Sequence, residues 1–170
     1  MNTTKEGCKE KTIIMVGNGA SSAALDILKN NKEDLEKRYS LSYLENARTR
    51  LEEEKKLSAS GIESCNLVSF ACSSGGVFEA LWKLGEAMDT GLMVEQSQIP
   101  ILQCTIELCD YMDINPYEAD SDGCILLVTD EPGRILDRLS EDGRVAVIGY
   151  TTDTKARIIK GSTVRYLTKI

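Results

Sequence analysis

The stretch Thr12-Ile13-Ile14-Met15-Val16-Gly17-Asn18-Gly19-Ala20-Ser21-Ser22-Ala23-Ala24 decides the fold. Its first five residues are an apolar run of strand length, two glycines follow, and Ala23 to Leu28 has the composition of a helix. Strand, glycines and helix in that order suggest a dinucleotide-binding unit. Two features argue against one. Ser22 stands where Gly-x-Gly-x-x-Gly needs its third glycine, and no strand with a ribose-binding acid follows about twenty residues later.

The chain becomes charged and helical instead. Asn31 with Asp34, and Ser42 with Glu45, have the spacing of capping boxes, the second ahead of a narrow apolar stripe of Leu44, Ala47 and Leu51. The other face carries Arg48, Arg50, Glu52, Glu53, Glu54, Lys55 and Lys56 and is read as solvated, with a partner surface as the alternative. Gly61 closes the region, and Leu67 to Phe70 is a short strand. Val77, Leu81, Leu84 and Met88 then share a helical face, widened by Phe78 and by Trp82, which reads as core.

Leu92 to Glu95 is a further strand, and Pro100 suits a helix N-terminus. An inward stripe follows, of Ile101, Thr105, Leu108 and Met112 with Leu102 and Cys109 beside it, while Glu107, Asp110 and Asp113 face outward. Cys124 to Thr129 is a buried strand, Gly133 to Leu139 a helix and Val145 to Tyr150 a strand, and a last hairpin turns at Gly161-Ser162. Without a strict βαβ rhythm, the expectation is an α+β fold, layered α/β/α around a mixed sheet. Residues 12–170 read as one domain behind a polar lead-in, 1–11.

Composition narrows the function. Twenty Lys and Arg against 27 Asp and Glu give a net charge of −7, with the cations scattered among acids, which argues against nucleic-acid and anionic-membrane partners. The longest apolar runs are strand-sized and the first residues are polar, so the expected compartment is the cytoplasm. The absence of histidine removes Ser-His-Asp and Cys-His catalytic units and His-ligated metals. The six cysteines form no Cys-x-x-Cys pair and fall mostly in apolar-periodic segments, where a reduced, buried thiol is expected and no metal role is supported.

Three loops carry the candidate site. Ser73-Ser74-Gly75-Gly76 precedes a helix whose first amides are unpaired and partly positive, so phosphate could approach closely. The competing reading makes Ser73 or Ser74 an ordinary cap, and no Walker lysine follows. Ser121-Asp122-Gly123 could add a second small-residue loop, although Asp122 repels an anion. Asn115-Pro116-Tyr117 reads as a helix exit that could line the same site.

Taken in order, the Gly-x-Gly-small-small-Ala opening at Met15 to Ala24, Ser74-Gly75-Gly76-Val77-Phe78-Glu79-Ala80-Leu81-Trp82, Asn115-Pro116-Tyr117-Glu118 with Ser121-x-Gly123, and Val147-Ile148-Gly149 carry a resemblance. The chain from about Ile13 to Tyr150 resembles the C-terminal domain of the aminoimidazole ribonucleotide (AIR) synthase-related family, in its hydrogenase expression/formation, or hydrogenase maturation factor, branch. Complete members have an N-terminal domain with most of the ATP and magnesium ligands, and the resemblance implies that this chain holds only the second half. It implies phosphate or nucleotide contacts at Ser73, Ser74, Gly75, Gly76, Ser121 and Gly123, with Asn115, Tyr117 and Asp122 lining the site and ATP/Mg engaged only beside a partner N-terminal domain. The family's Asp-x-Thr-x-Gly-Gly segment here has Ala71 for the aspartate and Ser73 for the threonine, and the chain ends in Tyr166-Leu167-Thr168-Lys169-Ile170 without the terminal cysteine of the maturation branch.

The functional expectation is therefore a stand-alone module related to hydrogenase maturation factors, either phosphate- or nucleotide-binding or partner-dependent and not active alone, whose partners are a second copy of itself or a separate ATP-binding N-terminal-domain chain, with a small phosphorylated ligand. The alternatives are an active subunit of a split ATP-dependent ligase or dehydratase, and a degenerate interaction protein that homodimerises.

Overall fold

A computed structural model describes residues 10–56, 67–139 and 144–169. Among the described residues seven strands form one sheet: β1 (Thr12–Val16), β2 (Val68–Ala71), β3 (Gly91–Glu95), β4 (Ile125–Thr129), β5 (Val145–Thr152), β6 (Arg157–Lys160) and β7 (Val164–Tyr166). Their order is β2-β4-β1-β5-β3-β6-β7; β3 and β6 are parallel and the other neighbours antiparallel. The mixed sheet with helical layers matches the α+β expectation. It is not a doubly wound sheet, because β1 pairs antiparallel on both sides.

The helices are α1 (Ser21–Asn30), α2 (Lys32–Leu35), α3 (Leu41–Lys56), α4 (Gly76–Ala87), α5 (Gln103–Tyr111) and α6 (Pro132–Leu139), with a 3₁₀ turn at Gln96–Gln98. Strand alternation sends Ile13 and Met15 to one face and Ile14 to the other. On the first face, Val77, Phe78, Leu81 and Leu84 of α4 pack with Met15, Leu126, Val128, Leu92, Val94 and Ile148. On the second, Ile135 and Leu139 of α6 pack with Ile14 and Leu127. A separate helical cluster joins Ala24, Ile27 and Leu28 of α1 to Leu44, Ala47 and Leu51 of α3 and to Leu108 and Cys109 of α5.

The second face is only partly covered. The register aligns Tyr150, Met93, Ile158 and Tyr166 in one row across β5, β3, β6 and β7. Tyr150 is 38% exposed and Tyr166 70%, with Val147 and Val164 also open to solvent. This row lies opposite the buried Leu92, Val94 and Ile159, which is why alternation leaves it outside.

Local details correct several sequence expectations. Helix α3 begins at Leu41, and Ser40 Oγ accepts from the Tyr43 amide, so Ser42 and Glu45 are not its capping box. Asn31 makes no side-chain cap and donates back to the Ile27 carbonyl. Pro100 lies ahead of α5, whose N-cap is Leu102, and its carbonyl accepts from the Gly19 amide at 2.8 Å. Helix α5 ends before Asn115-Pro116: Asp113 adopts φ +55° and the Ile114 amide bonds the Cys109 carbonyl, a left-handed exit that needs no proline. Glu107 does not simply face solvent, because it accepts from the Tyr43 hydroxyl and from Gln103. Trp82 is half-buried, with the Arg157 guanidinium 4.2 Å over its ring. Cys72, Cys109 and Cys124 are buried free thiols, and Cys104 is a half-buried one. Gly61, Cys8, Cys65 and most of the 1–11 lead-in lie outside the described residues.

Candidate functional site

Strands β1 and β2 end, and β4 and β5 begin, at the same end of the sheet, because each of these pairs is antiparallel. That brings the loops after β1 and β2 against the loop before β4. The Gly17 amide donates to the Arg144 carbonyl at 2.9 Å, and Gly17 itself has φ +94°. The Cys72 amide donates to the Cys124 carbonyl at 2.9 Å, and the Ser121 amide to the Ser73 carbonyl at 3.2 Å. All nine residues singled out from the sequence thus lie on two loops that meet here, together with the Gly-x-Gly loop.

Ser121 holds the three loops together and has no hydroxyl to spare. It is fully buried; its Oγ accepts from the Ala20 amide at 2.8 Å and donates to the Ala119 carbonyl at 3.0 Å. In this arrangement the hydroxyl's proton is committed to Ala119 and the residue ties the loops together. Asp122 is exposed, its amide bonded to Asp120 Oδ1, and Gly123 turns the chain with φ +94° into β4. Asn115 Oδ1 accepts from the Tyr117 amide, and the Tyr117 ring stacks on Phe78 at 5.2 Å and 11°.

The start of α4 is not a serine cap, and several of its donors are already taken within the chain. Gly75 occupies the N-cap, and neither Ser73 nor Ser74 caps through its side chain. The Gly76 amide is taken by the Ser73 carbonyl at 2.8 Å and the Phe78 amide by the Tyr117 carbonyl at 3.1 Å. Gly76 has φ +70°, and a Cβ there would stand 2.6 Å from the Tyr117 oxygen and 2.7 Å from that of Ala119. Glycine is required for this close approach of two backbones.

Two further donors are met by Glu79. Ser73 Oγ donates to Glu79 Oε2 at 3.2 Å, and the Gly75 amide bonds the same carboxylate. Lys83 Nζ lies 2.9 Å from its other oxygen. The Lys83 ammonium foremost, then the Ser73 hydroxyl and the Gly75 amide, hold the carboxyl below the ordinary glutamate value. An internal anion thus sits where an external one would be expected. Ser74 alone points a hydroxyl outward with no partner among the described residues.

Beside these loops is an ion pair not expected from the sequence. Glu54, near the end of α3, accepts from Asn18 Nδ2 at 2.7 Å and pairs with Arg144 Nε at 3.1 Å. The two charged side chains are only 16% and 14% exposed, so Glu54 is not part of a solvated face as read from the sequence. Arg48, Arg50, Glu52 and Glu53 are exposed as expected, while the side chains of Lys55 and Lys56 lie outside the described residues.

Among the described residues no group of three Asp, Glu, Cys or His side chains is placed to hold a metal ion. The most phosphate-like position is filled by Glu79. The described residues do not by themselves assemble a metal-nucleotide site.

No family model and no curated protein matches the sequence. Solved structures do match its fold. Hydrogenase maturation protein HypE in complex with ATP superposes with a TM-score of 0.70 at 15% identity, over 94% of this chain and 50% of that one. HypE in the HypE–HypF complex gives 0.64 at 14%, over 96% and 54%. Thiamine-monophosphate kinase from Stenotrophomonas maltophilia K279a gives 0.60 at 17%, over 89% and 50%. The chain shares the fold of these proteins and spans about half the length of each. No helix among the described residues is long and apolar enough to cross a membrane.

Proposed function

We propose that this chain is a separated half of an AIR synthase-related assembly, a phosphate- or nucleotide-binding module completed by a partner chain that carries the ATP-binding half. The observation that carries the reading is the uncovered row Tyr150, Met93, Ile158 and Tyr166 on a chain half as long as its fold neighbours. An apolar sheet face of this kind is stable in water chiefly when another surface covers it. The helix start supports the same reading, because Glu79 there occupies the Ser73 hydroxyl and the Lys83 ammonium that an external phosphate would use. Two of the fold neighbours were solved with ATP or with a partner protein, which is what a module of this fold could engage.

In this reading Ser73, Ser74, Gly75 and Gly76 form the phosphate-facing loop, Asn115, Tyr117 and Asp122 line it, and Ser121 and Gly123 shape it from behind. The exposed row also favours a second reading, in which two copies of the chain cover each other's sheet faces. The compartment proposed for either form is the cytoplasm.

The test combines affinity capture from the native cell extract with calorimetry and light scattering on the purified chain. The expected result is a monomer that captures an ATP-binding chain, loses it on Tyr150→Glu, and binds no Mg-ATP alone. Micromolar Mg-ATP binding by the isolated chain would overturn partner dependence. A dimer dissociated by Tyr150→Glu, with no captured chain, would establish the second reading.

A further inference from the structure

Away from the loops, the helical layer carries a surface cleft of about 680 Å³ lined by Arg38, Tyr39, Tyr43, Glu107, Asp110 and Tyr111. Its aromatic wall is built, not incidental. Tyr39 and Tyr43 stack at 5.0 Å and 17°, and Tyr111 meets Tyr39 edge-on at 5.9 Å and 75°. The hydroxyls are tied down: Tyr39 donates to the Glu107 carbonyl at 3.2 Å, Tyr43 to the Glu107 carboxylate, and Tyr111 to the Asp34 carbonyl at 3.3 Å. With the hydroxyls committed, the cleft offers ring surface and charge to a ligand.

The charge is arranged in two parts. Glu107 accepts from Tyr43 and from Gln103, which hold its carboxyl below the ordinary value and keep it anionic. Asp110 follows at the next position of the same helical face, and its carboxylate has neither ion pair nor hydrogen bond among the described residues. Across the cleft the Arg38 guanidinium is likewise unpaired among the described residues.

We propose that this cleft binds a guanidinium group on an aliphatic stem, laid against the tyrosine rings with its N–H groups turned to the Asp110 carboxylate. A guanidinium is planar and weakly hydrated, so it can stack on an aromatic face while donating in its own plane, which a rounder, more strongly hydrated ammonium does less well. The chain already uses this combination internally: Arg157 lies 4.2 Å over Trp82 and donates to Glu86 at 2.6 Å. Arg38 suits a carboxylate on the same ligand, and so separates free arginine from a guanidinium without one. The cleft lies over the helical cluster of α1, α3 and α5, apart from the candidate phosphate loops.

Titration of the full chain followed by amide NMR tests it, with agmatine, L-arginine and a capped Gly-Arg-Gly peptide as probes and citrulline and butylamine as controls. The expected result is saturable shifts confined to residues 38–43 and 107–111, weakened about fivefold or more by Asp110→Asn and by Tyr111→Leu in variants that keep the wild-type spectrum. Peptide binding equal to that of agmatine marks an arginine side chain as the source, and tighter binding of free arginine marks a small molecule held by Arg38. No shift in these residues at about 10 mM agmatine, or butylamine binding as tightly as agmatine, overturns the proposal.

Discussion

Replacing Gly76 with alanine should cost far more stability than replacing a glycine that merely turns the chain. The substitution does three things. It forces a side chain into φ +70°, where an L-residue is strained by about 1 to 2 kcal/mol. It places a Cβ 2.6 to 2.9 Å from three backbone atoms of Tyr117, Glu118 and Ala119, which cannot yield as a side-chain tip would. Moving that segment away then breaks the Phe78 amide bond to Tyr117, about 1 kcal/mol, and disturbs the Phe78–Tyr117 stack, about 1 kcal/mol more. The expected loss is about 3 to 4 kcal/mol, or a melting point lower by roughly 6 to 16 °C for a domain of this size. Urea unfolding followed by circular dichroism and Trp82 fluorescence measures it. Two controls isolate the cause. Gly123→Ala meets no atom within 4 Å and carries only strain at φ +94°, so about 1 to 2 kcal/mol is expected. Gly133→Ala, in the first turn of α6 with open space around it, should be neutral or stabilising by a few tenths of a kcal/mol. A Gly76→Ala protein within about 1 kcal/mol of wild type, or no weaker than Gly123→Ala, would refute the close-approach argument.

Three further outcomes are expected. Glu54→Ala leaves Arg144 largely buried without its carboxylate and should cost about 2 to 3 kcal/mol in urea unfolding, while Glu53→Ala on the exposed face of the same helix should cost less than about 0.5 kcal/mol. Because its folded value lies below the ordinary one, Glu79 contributes stability above the ordinary glutamate range and loses it as pH falls through the lowered value; Lys83→Ala should move its NMR titration upward toward 4.5, and an unmoved titration would remove Lys83 as the main cause. Burial pushes the Cys72 thiol up to about 12 and that of Cys109 to about 11, with Cys124 raised further, so a maleimide at neutral pH should label Cys104 well before these three; equal rates by peptide mass spectrometry would contradict the packing.

The central strands were legible because they are apolar runs punctuated by glycine, proline or turn residues, as in Thr12 to Val16 ahead of Gly17. Helix starts were less so. Ser42 and Glu45 have the spacing of a capping box, yet Ser40, two residues earlier, does the capping, because local pattern alone does not say which hydroxyl leaves the helix. The candidate loops were recognisable from their small residues, but the occupant of the α4 start was not. Glu79 with Lys83 looks like an ordinary exposed helical pair, and only the backward fold of the Ser73–Gly75 loop turns its carboxylate into a cap. Ser121 looked available for the same reason: burial comes from Ala20, a hundred residues away in sequence, whose amide claims its hydroxyl. Glu54 was unreadable, since nothing near it in sequence foretells that strand order will deliver Arg144 to the end of α3.

Strand order also sets the schedule of folding. β1 precedes the other six strands in sequence but pairs only with β4 and β5, and the Lys11 amide bond to Thr151 spans 140 positions. The centre of the sheet must wait for almost the entire chain. During that interval the apolar run Ile13-Ile14-Met15 has no strand partner, while α1 and α3 can already associate through Leu28 and Leu44. Synthesis therefore passes through a stage with part of the helical layer assembled and an unpaired central strand, the stage at which chaperone capture would protect this protein most.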